Sequence, residues 1–266
     1  MPFSRPNRPI FTFCGPINNR ICTFFTSKSF VFKYFFVNMH TILNIETATD
    51  ICSVAISQGK TICWEVEANE PLAHASKITL LIDECVQKAR VSLQELDAIA
   101  VSIGPGSYTA LRIGLSTAKG IAYALRKPII TINSLKALAA GTRLEAGQPS
   151  AVYLPMIDAR RMEVYLAAFD HRLAEITPPR AQVMDRHSLD NWLAHYPKIV
   201  LCGNGANKLR PLYNDERIVF GLTQSKARFL ATLANQAYQS ADFADLAYVE
   251  PLYGKPPNIT TPKKVL

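Results

Sequence analysis

Residues 103–114 read Ile-Gly-Pro-Gly-Ser-Tyr-Thr-Ala-Leu-Arg-Ile-Gly: an apolar strand ends in glycines that run straight into a helix. Glycines at such a junction let helix-start amides approach an anion. The first chemistry to weigh is therefore phosphate or nucleotide binding by Gly104, Gly106 and Ser107, with Arg112 one turn into the helix. The common patterns are not met. No Lys-Ser or Lys-Thr follows Gly104 in the register of a P-loop, and Thr109 stands where a dinucleotide loop needs its third glycine. Ser107 is not followed by x-Gly, so the nucleophile elbow fails too, and it has no nameable base. It reads better as a helix cap through its Oγ, with Pro105 stiffening the turn.

The other reactive side chains are scattered. The histidines stand at 40, 74, 171, 187 and 195 with no HExxH and no i, i+4 pair, so no metal is expected. His74 is notable only because it opens a helix. Six cysteines form no CxxC, and Cys52, Cys63, Cys85 and Cys202 fall inside apolar patterns, as reduced core thiols do in a reducing cytoplasm. Asp158-Ala159-Arg160-Arg161 is either an internally paired hairpin turn or a site element facing a cleft.

The elements that must position these residues come in two similar runs. Strands are predicted over 41–46, 51–58 and 61–68, joined by tight turns as an antiparallel meander. A helix near 72–90, a strand ending at Gly104, a helix over 107–125, the strand "KPIITI" and a helix capped by Ser134 follow. The second run has strands at 151–158 and 162–170, an extended stretch near 180–185, a helix from Ser188 to about Tyr196 and the strand "KIVLCG". A short helix after Gly205 and a longer one over 225–240 close it. Repetition of element order implies a duplicated mixed α/β architecture with a cleft between two subdomains, 39–145 and 146–266. The last helix would then be placed to pack back on the first subdomain.

Two helices carry more apolar surface than one sheet can cover. At 100° per residue, Leu72, Ala75, Ile78, Leu81, Ile82, Cys85, Val86 and Ala89 fill about half the circumference of the first. The second is apolar nearly all round, apart from a strip of Arg112, Ser116, Lys119 and Tyr123. Its Ala110, Gly114, Ala118 and Ala122 recur every four residues as a flat seam. Either loops and the other half of the chain cover the remaining surface, or both helices also meet another protein.

Composition narrows the partners. Of 29 Lys and Arg, five (Arg5, Arg8, Arg20, Lys28 and Lys33) lie in the first 38 residues without a single acid, leaving 24 against 21 Asp and Glu. The body is thus nearly neutral, and little direct RNA contact is expected from it. The first 38 residues also hold nine of the 13 Phe with no regular period, and neither a presequence nor a secretory signal fits them. They read as translated upstream sequence, with the protein starting at Met39 in "MHTILNIETATD". Apart from that extension, no run approaches a membrane span.

"ILNIETATDICSVAI", "GPGSYTALRIGLSTAKGIAYALRKPII", "IDARRMEVYLA" and "EPLYGKP" together resemble the TsaB (YeaZ) family. The resemblance runs from about Met39 to the C-terminus. It implies a duplicated actin-like ATPase fold and a non-catalytic dimerisation subunit of the machinery that makes threonylcarbamoyladenosine at position 37 of ANN-decoding tRNAs. It also implies a TsaD partner that performs the transfer, with the ATPase TsaE in the complex. tRNA would be held through the complex, and a homodimer would be open to the protein when alone. TsaD-like proteins carry HxxxH after the strand matching "KPIITI"; here Ser134 and Leu138 stand at those places. In this family the two helices above make the subunit contact. The expected interface is His74, Ile78, Leu81, Ile82 and Cys85 on the first, and Ala110, Leu111, Gly114, Ala118 and Ala122 on the second. No cofactor is required, and ATP or ADP at the complex interface stays open. Glu46 and Asp50 stand either where an actin-like ATPase would place phosphate-loop residues or as surface turn residues, and Thr47 joins Asp50 in the candidate anion loop. A stand-alone actin-like enzyme, a small-molecule kinase or metal-dependent hydrolase, is the alternative function.

Overall fold

The structure is a computed structural model that describes residues 39–69, 74–147 and 150–255. The described residues from His40 onward form one compact unit. The readings of residues 1–38, and of Leu72 at the helix start, lie outside the described residues.

Strands β1 (Thr41–Glu46), β2 (Cys52–Gln58) and β3 (Thr61–Ala68) form the antiparallel meander, with Thr41 opposite Gln58 and Cys52 opposite Ala68. Helix α1 (His74–Ala89) leads to β4 (Ala98–Gly104), which lies parallel to β1. Helix α2 (Tyr108–Leu125) then crosses to β5 (Ile129–Asn133), parallel to β4. Every residue of β1 and β2 is buried because other elements cover both faces of the sheet, so the polar Asn44, Glu46, Ser53 and Ser57 are interior too. β3, at the edge, is only partly covered.

Helix α3 (Ser134–Ala146) connects to the second sheet, built from β6 (Val152–Asp158), β7 (Glu163–Phe169) and β8 (Glu175–Val183). Helix α4 (Asp190–His195) and the parallel strands β9 (Ile199–Cys202) and β10 (Ile218–Phe220) complete it. The strand orders are β3-β2-β1-β4-β5 and β8-β7-β6-β9-β10, so both sheets use a three-strand meander followed by two parallel strands. Strand β10, three residues long, has no counterpart among the strands predicted above. The third strand predicted near 180–185 begins earlier, at Glu175.

One apolar core joins the halves: Ile42, Ala100 and Ile130 of the first sheet share it with Tyr153, Phe169 and Val200 of the second. The alanine side of α3 (Ala137, Ala139, Ala140) lies within this core. Its cap differs from expectation. Asn133 is the N-cap, accepting the Lys136 N–H on Oδ1 at 3.1 Å, while Ser134 is already helical and buried. The residues expected as one helix over 225–240 form a tight turn at Ala227–Leu230 and then α5 (Ala231–Gln239). This segment leaves the second sheet and packs on β1, β2 and β5.

Candidate functional site

The glycine loop is a packing device. Gly104 has φ +116°, the left-handed region that favours glycine, and a Cβ there would lie 2.5 Å from the Leu252 carbonyl oxygen. A Cβ on Gly106 would meet the Ala48 carbonyl oxygen at 2.3 Å. The Ser107 N–H donates to that same oxygen at 2.8 Å, so the loop is stitched to the turn after β1. Ser107 occupies the N-cap position of α2, but its Oγ makes no capping bond, contrary to the role expected for it.

A cleft of about 570 Å³ opens between the two sheets, lined by Asp50, Ser107, Tyr108, Asp158, Arg160 and Lys255 among others. The expected anion loop is split by it. Asp50, Gly106 and Ser107 line the cleft; Thr47, Gly104 and Arg112 do not. Thr47 is buried against α2, where its Oγ1 has no hydrogen-bond partner among the described residues and a Cβ on Gly114 would meet it at 2.2 Å. Arg112 turns to the C-terminal segment: its Nε donates to the Tyr253 hydroxyl at 2.8 Å and its guanidinium covers the Tyr108 ring. Tyr253 stacks on Tyr108 at 4.5 Å, and the Leu252 N–H donates to the Ile103 carbonyl. Lys255 pairs with Glu163 across the cleft. Residues 250–255 thus form a strap from the start of α2 to β7, a role the sequence did not reveal.

Glu46 is neither a surface turn residue nor a cleft residue. Its carboxylate is fully buried and accepts the Ala48 N–H (2.7 Å), the Ser102 hydroxyl (2.7 Å) and the Ser225 hydroxyl (2.8 Å). Burial pushes its carboxyl above the ordinary range, and these bonds offset only part of that. Ser225 lies 179 residues away along the chain, so this carboxyl ties the segment ahead of α5 to the end of β1. The Ala227 N–H on Ser53 Oγ, the Lys226–Glu67 pair and the Arg228–Glu65 pair extend the same junction.

The helix residues expected at a partner interface face the other way. His74, Ile78, Leu81, Ile82 and Cys85 are buried, and so are Ala110, Leu111, Gly114, Ala118 and Ala122. Their neighbours belong to this chain: α1 lies on β2 and β3, α2 on β4, and the His74 Nε2 is 3.0 Å from the Thr49 carbonyl oxygen. The inner seam of α2 is a contact within this chain's own core. What remains open is the opposite side. Leu80 of α1 and Tyr123 of α2 are 63% and 79% exposed. Ser116, Gly120 and Ala124 repeat the four-residue spacing on the outer side of α2, where a Cβ on Gly120 would meet nothing within 4 Å.

Positions 134 and 138 are filled structurally. The Ser134 hydroxyl accepts the Gly104 N–H at 3.0 Å, and Leu138 packs in the interior. Among the described residues no three His, Cys, Asp or Glu side chains gather as metal ligands. Burial pushes the thiols of Cys85 and Cys202 up to about 12 and that of Cys52 to about 11, so they stay protonated and are poor nucleophiles.

The β6–β7 connection is the remaining polar feature. Asp158 takes the Lys208 ammonium at 2.6 Å and the Arg160 N–H, while its own N–H donates to Asn204. Arg160 and Arg161 both have positive φ, +73° and +48°. Such backbone costs a non-glycine residue about 1 kcal/mol or more.

Two five-stranded sheets of one order around a cleft define the α/β class of the actin-like ATPases. The activator of the 2-hydroxyisocaproyl-CoA dehydratase from Clostridium difficile, solved with bound ADPNP, shares this fold at 8% identity. Its TM-score is 0.50, over 76% of this chain and 97% of that one. YeaZ from Pseudomonas aeruginosa is more alike: TM-score 0.71 and 25% identity over 81% of this chain and 100% of that one. The family model described as "TsaD: tRNA N6-adenosine threonylcarbamoyltransferase" matches residues 71–249. The tRNA threonylcarbamoyladenosine biosynthesis protein TsaB of Escherichia coli (strain K12) is 35% identical over 128 residues, 48% of this chain and 54% of that protein. The chain belongs to the family of this model and is similar to the TsaB and YeaZ proteins. It spans about half the length of the curated relatives it matches.

Proposed function

We propose that this protein is a non-catalytic subunit of the cytoplasmic machinery that makes threonylcarbamoyladenosine on tRNA, and that it docks a TsaD partner through the outward faces of α1 and α2. The TsaB names of its curated relatives support the process. The observation that carries the docking reading is the outer face of α2. Ser116, Gly120 and Ala124 leave a shallow track beside exposed Tyr123, and half-buried Ile113, Thr117 and Ile121 flank it. Small residues at four-residue spacing let a second helix approach closely, and exposed apolar side chains beside them supply contact area. The transfer chemistry belongs to the partner, because Ser134 and Leu138 serve the core where that partner carries its HxxxH motif. TsaE joins the same complex, ATP or ADP is an accessory at the interface rather than a requirement, and self-association uses the same face when the partner is lacking.

Co-purification with the organism's TsaD, using wild type, Gly120→Arg and Tyr123→Asp, tests this reading. Wild type is expected to assemble and both variants to stay folded but unbound. Binding by the folded variants would move the interface elsewhere. Enzyme-like turnover of ATP or peptide by the protein alone would replace the scaffold with the stand-alone enzyme.

A further inference from the structure

We infer that the loop carrying Arg160 and Arg161 is a phosphate-contacting element through which this subunit touches the RNA backbone directly. This rests on the reading above for the RNA, and on the loop itself for the contact. Four residues, Ala159–Met162, connect β6 to β7, and the middle two, Arg160 and Arg161, hold positive φ. Glycine or asparagine would take that backbone more readily, so the turn is not optimised for the hairpin alone. Both arginines are exposed, and neither guanidinium has a partner among the described residues. Two carboxylates of the neighbouring segments are already engaged. Asp158 is held by Lys208 and by the Arg160 N–H, and Asp185 by the Ser188 hydroxyl and the His187 N–H. The Met184 N–H donates to the Met162 carbonyl at 2.8 Å, which brings the stretch leading to exposed Arg186 alongside the loop.

Free guanidinium groups on a hairpin anchored by Asp158 and Asn204 form a fixed cationic edge, and arginine matches phosphate oxygens in a fork geometry. A phosphodiester backbone fits this edge better than a nucleotide in the cleft. Arg160 lines the cleft rim but Arg161 stands outside it, and the cleft wall itself presents Asp50 and Asp158. The near-neutral charge of the body argued against RNA contact. Two unpaired arginines act within one Debye length, about 8 Å at physiological salt, where overall charge matters little.

The test titrates tRNA, at several salt concentrations, against the full-length protein alone and against its assembly with TsaD. Wild type is compared with Arg160→Asn/Arg161→Gly and with Arg160→Lys/Arg161→Lys, and ATP binding is measured in parallel. The Asn/Gly variant is expected to keep or raise its Tm and to assemble normally, yet to bind tRNA roughly tenfold more weakly with a salt slope smaller by about 1–2. The Lys variant is expected to retain the slope. Wild-type affinity and slope in a folded Asn/Gly variant would overturn the inference, as would a lack of tRNA binding by both wild-type preparations. Loss of ATP binding instead would assign the arginines to the cleft. Failure of wild type to assemble with TsaD is seen separately by gel filtration and counts against the docking proposal, while the arginine comparison is then read on the protein alone.

Discussion

Helix α2 carries two seams of small residues at the same spacing, and they do opposite things. The inner one, Ala110-Gly114-Ala118-Ala122, is buried against this chain, with Gly114 so close to Thr47 that no side chain fits. The outer one, Ser116-Gly120-Ala124, is exposed, with open space over Gly120. Periodicity identifies a face on which a backbone can come near; it does not say whose backbone. A helix small and apolar on both sides can fold the protein with one seam and offer the other to a partner.

The comparison is broken most severely from inside. Gly114→Leu is expected to lose about 3 kcal/mol or more, because the added carbons meet a buried, branched Thr47 just after β1 rather than a flexible chain end. Thermal unfolding checks this; a native-like Tm would mean the inner seam has slack. Next in size is Glu46→Ala, which leaves the Ser102 and Ser225 hydroxyls and the Ala48 N–H without their acceptor, at about 2–3 kcal/mol.

Glu46→Gln sharpens the same point through pH. The carboxyl is raised by burial, so the folded state holds its proton more tightly than the unfolded chain does. Its contribution is therefore full below the ordinary carboxylate range and is lost as pH rises through the folded value. Wild-type Tm should fall relative to Glu46→Gln over the pH interval above the ordinary carboxylate range. A constant difference over that interval would show an ionised, fully compensated carboxylate. The smallest effect belongs to the outer seam in the free protein. Gly120→Ala should stabilise by up to about 1 kcal/mol through helix propensity, since its Cβ meets nothing. A loss of stability there would mean that the outer face is already covered.

Much of this was legible before the fold was seen. The meanders and the parallel strands β4, β5 and β9 come from short apolar-rich runs bounded by turn residues, which are local signals. The duplication was visible as element order. Three things were not. The direction of each seam depends on which neighbour arrives, and Ala110 or Ala124 carries no mark of that. The Asn133 cap was passed over for Ser134 because both residue types cap helices, and only the contact with Gly104 explains why the serine turns inward. The bond between Glu46 and Ser225, like the strap that puts Tyr253 on Tyr108, joins residues far apart in sequence that no local pattern connects. Of the candidate anion loop, Asp50, Gly106 and Ser107 reach the cleft, and the rest serve packing.

The most direct test of the docking account is the affinity of Gly120→Arg for TsaD, measured by calorimetry beside its Tm. The outer seam predicts an unfolding temperature close to wild type and a Kd weakened at least about 100-fold, or about 2.7 kcal/mol. A folded Gly120→Arg that binds TsaD as tightly as wild type would contradict it.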